Sequence, residues 1–252
     1  MNDLFIGSGG ITGFKYIGAL EYLHQNKMLD LKNFYGCSIG SLIGILYISG
    51  YEPKDIIELF IDLNIKDLVL FNMDNINKNY LIDNILLESL INPLWKKHEK
   101  NITLGEFNIK TGVNINIICT DITNNTSVNF NNIIHPDIKL KDALKASMTI
   151  PFIFEPVEIN GIKYVDGACK NIYGYIPNDY YILGFIIISK YKHETYFEKI
   201  IKTMQSNKKP RGYCIIECES LQNKMRNMKD ITKKDVYLYY KTGIEDARNQ
   251  IC

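Results

Sequence analysis

Long apolar runs are missing from this sequence. The longest, such as ILGFIII at Ile182–Ile188, falls far short of the roughly 20 residues an α-helix needs to cross a bilayer. Excess charge of either sign is missing as well. Lys and Arg number 29 against 28 Asp and Glu, for a formal net charge of +1, so no overall field draws the chain to nucleic acid or to an anionic membrane. Metal-ligand spacing is absent. The six cysteines (Cys37, Cys119, Cys169, Cys214, Cys218 and Cys252) form no repeated C-x-x-C pair, so no structural zinc site is expected. Cys119, Cys169 and Cys214 lie in apolar, strand-like stretches, where a buried free thiol is the ordinary outcome and suits a reducing compartment. The opening MNDLFIGSGG has neither a basic segment nor a long apolar one. No secretory signal is therefore expected, the location is read as cytoplasmic, and the sequons at Asn101 and Asn125 are read as chance. Repeats, low-complexity tracts and linker-like runs are also lacking, so one domain over residues 1–252 is the simplest expectation.

What is present is an ordinary globular composition, 46% hydrophobic and 23% charged, arranged in a legible order. DLFIG reads as a strand ending in glycine, and SGGITG is too glycine-rich to be helix interior. From Phe14 onward, Phe14, Ile17, Leu20 and Leu23 recur at helical spacing, predicting an amphipathic helix over residues 14–29. NFYGCS then predicts a second strand and IGSLIGILYIS a second helix. Strand, turn, helix, repeated, is the pattern of an α/β fold with a parallel sheet. Further on, Pro53 opens a helix, residues 80–91 have helical periodicity, and residues 113–122 form a strand that TSVNFN pairs with across Asn124-Asn125. LKDALKAS is a short helix. Asn160-Gly161 predicts a hairpin, YYILGFIIIS and GYCIIEC are strands, ETYFEKIIKTMQ is a helix, and a helix over residues 232–251 closes the chain.

Two glycine turns carry the chemistry. The first, Gly7-Ser8-Gly9-Gly10-Ile11-Thr12-Gly13, joins a strand to a helix, so its free N–H groups face outward at a helix N-terminus and favour negative charge. That charge is either a phosphate or the oxyanion of an acyl transfer. A dinucleotide fingerprint also wants an acidic residue at the end of the second strand, but here that strand ends in Gly36-Cys37-Ser38. A P-loop needs G-K-[ST], but Thr12-Gly13 is followed by Phe14.

The second turn, Gly36-Cys37-Ser38-Ile39-Gly40, is a G-x-S-x-G pentapeptide between a strand and a helix. In a nucleophile elbow, Gly36 and Gly40 remove side chains that would clash at the corner. Ser38 is then presented above the sheet, and the next N–H, that of Ile39, joins the oxyanion site. Strand alternation turns Cys37 away from Ser38, so Cys37 is read as packing.

A serine hydroxyl needs a base. His24, His98 and His135 all read as surface residues, as does His193, the one histidine placed after Ser38 in the order a Ser-acid-His triad requires. The alternative is Asp166 in YVDGA, set on a turn by Gly167. A free carboxylate at about 3.9 is a weak base, so burial beside Ser38 would have to raise its pKa or strengthen its hydrogen bond.

Four segments together resemble the patatin-like phospholipases. SGGITG resembles the family's G-G-G-x-[KR]-G oxyanion loop and GCSIG its G-x-S-x-G elbow. ASMTIPFIFEPV resembles its A-S-x-x-x-P-x-x-F-x-P segment, and DGA its D-G-[GA] motif. The resemblance spans nearly the whole chain in order. It implies a three-layer α/β/α sandwich with a mostly parallel central sheet and a Ser-Asp dyad without metal or cofactor. The implied roles are Ser38 as nucleophile, Asp166 as base, and N–H groups of Gly9, Gly10 and Ile39 around the oxyanion. The implied substrate is a phospholipid or other acyl lipid, with peripheral membrane contact and no nucleic acid. Residues 68–79 and 173–181, rich in aromatic and apolar side chains, are the candidate rim for that contact. Two positions depart from the pattern: Ser8 replaces the first glycine, and Thr12 replaces the usual Lys or Arg. Two alternatives stay open, a catalytically silent lipid-binding protein on the same fold and a serine esterase dependent on His193.

Overall fold

The computed structural model describes residues 1–63, 84–171, 182–188, 213–219 and 232–251. The predicted helix over residues 194–205 and both candidate rim segments lie outside these residues, as does His193. Eight described strands form one mixed sheet. Its centre is a parallel run of β3 (Asn114–Asp121), β2 (Asn33–Cys37), β1 (Asp3–Ile6), β7 (Ile182–Ile188) and β8 (Tyr213–Glu219). Beside it, β4 (Thr126–Asn131) and β6 (Ile162–Asp166) pair antiparallel with β3, and β5 (Val157–Ile159) pairs antiparallel with β6.

Residues alternate between the two faces of the sheet, and both faces are buried. Leu4, Ile6, Phe34, Ile115 and Ile117 belong to the large core, while Phe5, Tyr35, Cys37, Ile118, Ile182 and Ile186 form a second cluster. That is the middle layer of an α/β sandwich. Among the described helices, α1 (Phe14–Gln25), α2 (Ile39–Ile48), α3 (Pro53–Asp62) and α4 (Ile85–Ile91) contribute to the large core. So do α5 (Leu104–Thr111), α6 (Leu140–Met148) and α7 (Lys233–Gln250).

Most sequence-predicted elements hold to within a few residues. The first helix stops at Gln25 rather than at residue 29, because Lys27 turns to φ 52° and donates its N–H back to the His24 carbonyl. The hairpin at Asn160-Gly161 has φ 53° and 79°, the paired left-handed conformation of a two-residue turn. Helix α5 was not anticipated, although Thr103 and Glu106 form a reciprocal capping box at its start.

One feature of the register assembles the site. Strand β4 occupies one edge of β3 across Asn116 to Asp121. The other edge is shared: β2 pairs with it up to Cys37 opposite Ile118, and β6 takes over at Asp166 opposite Cys119. Because β2 is parallel to β3 and β6 antiparallel, their C-terminal ends run toward each other and meet.

Candidate active site

Ser38 follows Cys37 at the end of β2 and opens α2. Its backbone lies at φ 57°, ψ −134°, a conformation that costs a non-glycine residue of order 1–3 kcal/mol. The glycines around it are demanded by close packing. A Cβ on Gly40 would lie 2.4 Å from the carbonyl oxygens of Ile6 and Gly7, and one on Gly36 would lie 2.5 Å from Cα of Ser41. Helix α2 thus starts directly against the end of β1. Gly13 brings the first glycine turn to the same place, since a Cβ there would lie 2.5 Å from the Ile39 side chain.

Asp166 ends β6, where β2 stops. Its N–H donates to the Thr149 carbonyl at 2.7 Å, and its own carbonyl accepts from Thr120 Oγ1 at 3.0 Å. Gly167 follows because any side chain would strike the Ile118 carbonyl, 2.5 Å from an added Cβ. Asp166 is 5% exposed and Ser38 6%. Burial, partly offset by hydrogen bonds from the Ser38 hydroxyl, the Ala168 N–H at 2.9 Å and the Cys37 thiol, leaves the Asp166 carboxyl raised to about 6. The structure therefore brings Ser38 and Asp166 together, with the carboxyl more basic than in water.

Cys37 is fully buried, with Sγ 3.9 Å from Asp166 Oδ1. Burial, with the Asp166 charge adding to it, drives its thiol well above the ordinary range, so it is held as a neutral thiol rather than a thiolate. Cys119 and Cys169 are likewise free and buried. Of the histidines, His24 is exposed as expected. His98 and His135 are half-buried rather than on the surface, because their rings pack on Phe107 and Phe130, 5.0 and 5.3 Å between centroids. None of the three lines the cleft at Ser38.

In the first glycine turn, the Tyr16 hydroxyl donates to the Ser8 carbonyl at 2.7 Å and Thr12 Oγ1 to the Gly9 carbonyl at 2.6 Å. Gly10 and Ile39 line, with Ser38, an apolar cleft that opens to solvent. Its walls are Phe14 and Phe60, then Leu86, Leu87 and Leu90 of α4, then Met148, Ile150 and Phe154. These wall residues were not singled out from sequence. Helical periodicity marked Leu86, Leu87 and Leu90 as apolar but could not tell cleft from core.

The chain has the architecture of a known class of α/β folds. A crystal structure of VipD from Legionella pneumophila matches 99% of this chain and 66% of its own, with a TM-score of 0.62 at 13% identity, which speaks to the fold alone. The protein belongs to the patatin-like phospholipase family, whose sequence model matches residues 4–173. Among curated proteins, it is 30% identical over 177 residues to "Probable lipid hydrolase 463L" of Invertebrate iridescent virus 6, covering 67% of this chain and 60% of that protein. It is 24% identical over 185 residues to "Uncharacterized protein R571" of Acanthamoeba polyphaga mimivirus, covering 67% of this chain and 58% of the other. The matches thus span about three fifths of each relative's length. No helix among the described residues is long and apolar enough to cross a membrane.

Proposed function

We propose that this protein is a lipid acyl hydrolase that cleaves fatty-acyl esters through an acyl-serine intermediate. The observation that carries the proposal is the meeting of a buried, basic Asp166 with a strained Ser38 that lines an apolar cleft. Family membership and a relative named as a lipid hydrolase support it.

In this reading Asp166 takes the Ser38 proton as Oγ attacks the ester carbonyl. The oxyanion is received by N–H groups of Gly9, Gly10 and Ile39, at the glycine turn and the start of α2. As the tetrahedral intermediate collapses, the proton passes from Asp166 to the departing alcohol, leaving acyl-Ser38. Water, deprotonated by Asp166, then attacks the acyl-serine, and as the fatty acid leaves the proton returns from Asp166 to Ser38 Oγ. The apolar cleft takes the acyl chain. Phospholipids or other acyl lipids are the substrates, met at a lipid surface, and residues 1–252 act as one domain.

The test is incubation of the full chain with mixed phospholipid vesicles, identifying released fatty acids and lysolipids, alongside labelling by a fluorophosphonate probe. Wild-type protein is expected to release fatty acid and take up the probe, and Ser38→Ala to do neither. A folded wild type that takes up no probe would favour the silent lipid-binding reading instead.

A further inference from the structure

Where β2 gives way to β6 along β3, the backbone ladder has a gap. Cys37 is the last β2 residue in register, opposite Ile118, and the next residue, Ser38, turns out of the strand. A third group fills the gap. The Ser38 N–H donates to Ser147 Oγ at 2.9 Å, and Ser147 Oγ in turn donates to the Ile118 carbonyl at 2.7 Å. The hydroxyl is spliced between a donor and an acceptor that would otherwise be buried unpaired, and Ser147 itself is 0% exposed. Two residues on, the Thr149 carbonyl takes the Asp166 N–H at 2.7 Å. Between them lies Met148, which lines the cleft. One short segment at the end of α6 therefore grips the backbone of Ser38 at one end and of Asp166 at the other.

We infer that Ser147 is a positioning residue that sets the backbone of Ser38, and with it the approach of the Ser38 hydroxyl to Asp166. The inference rests on the proposed roles of Ser38 and Asp166. Ser147 does not line the cleft, and its effect passes through the Ser38 N–H. A hydroxyl is needed because the site asks one atom to accept and donate at once. Alanine does neither, cysteine does both poorly at nearly the same size, and threonine keeps the function.

The experiment compares wild type, Ser147→Ala, Ser147→Cys and Ser147→Thr as full chains, by fluorophosphonate titration and steady-state ester hydrolysis. Titration gives the fraction of molecules that label, and its time course gives the rate per labelled site. The expected result for Ala and Cys is unchanged stoichiometry with a labelling rate per site lower by roughly 10–100-fold, and kcat reduced while KM holds. Threonine is expected to stay within about threefold of wild type. A merely structural role would lower stoichiometry and thermal stability and leave the rate per site alone, and that outcome overturns the inference. If Ser147→Ala does not fold, the near-isosteric cysteine variant decides by the same criterion. Failure of the wild type to label would instead refute the hydrolase reading itself.

Discussion

Replacing Asp166 with asparagine is expected to abolish turnover and, at alkaline pH, to strengthen the fold. Burial raises the Asp166 carboxyl from its ordinary 3.8 to about 6. Between those values the folded chain holds a proton that the unfolded chain has released, so stability falls as pH rises through this window. Each pH unit is worth about 1.4 kcal/mol, so keeping the carboxylate ionised at pH 8 costs the fold about 3 kcal/mol. Asparagine has nearly the same shape and no charge. Its carbonyl oxygen still accepts from the Ala168 N–H, which bonds Asp166 Oδ1 at 2.9 Å. Ser147 and Thr149 hold the surrounding backbone whatever the side chain. Urea unfolding of wild type and Asp166→Asn should therefore show the variant more stable at pH 8, by up to about 3 kcal/mol, with the gap closing toward pH 4, where both side chains are neutral. The same titration governs rate: wild-type labelling should drop about tenfold per unit below about pH 6 as the base is protonated. A wild type more stable than the variant at pH 8, or a gap that does not vary with pH, would refute the reasoning.

Two further outcomes follow from packing. A methyl on Gly18 would sit 1.9 Å from the Tyr240 carbonyl oxygen, and one on Gly243 would sit 2.0 Å from that of Lys15, so α1 and α7 cross at two glycines. Gly18→Ala and Gly243→Ala should each lower stability by about 1–3 kcal/mol in thermal unfolding, with the double variant losing less than the sum, because helices already forced apart admit the second methyl. Leu87→Trp fills the cleft wall, and the ratio of hydrolysis rates for long over short p-nitrophenyl esters should fall about tenfold or more. An unchanged chain-length profile would remove the cleft from substrate binding.

Sequence patterns singled out Ser38 and Asp166, which the structure brings together, but not the contact that Ser147 makes beside them. G-x-S-x-G and D-G-A are local signals, each the product of a tight turn whose glycines are required by neighbours within a few residues or one strand away. The meeting of β2 and β6 on one edge of β3 is a matter of register, fixed by pairings distant in the chain, Cys37 with Ile118 and Cys119 with Asp166, and no short window records it. Ser147 lay inside ASMTIPFIFEPV, yet a serine on a helix has many ordinary uses. Only the Ser38 N–H and the Ile118 carbonyl, brought to it by the end of β2 and by β3, give it a distinct one. Cys37 shows the limit in another way. Alternation turned it correctly away from the apex and into the core, but that same face holds the Asp166 carboxyl, so the thiol is packing and a weak hydrogen-bond donor at once.

Thr12, the departure that kept the silent reading open, has a role of its own in the turn. A trans peptide places its N–H opposite its carbonyl. With the Ser8 carbonyl held by Tyr16 and the Gly9 carbonyl by Thr12, the N–H groups of Gly9 and Gly10 are each turned the other way by a side-chain hydroxyl. Tyr16 is fully buried and stacked on Phe185 at 6.4 Å between centroids, so its oxygen is a rigid anchor. Thr12 reaches its carbonyl across three residues with a short side chain that loses little freedom in doing so. Orientation of the turn therefore does not depend on a cation at position 12. In the proposed hydrolase, threonine at position 12 therefore leaves the two N–H groups oriented without a cation, which weighs for a working hydrolase over a lipid-binding remnant.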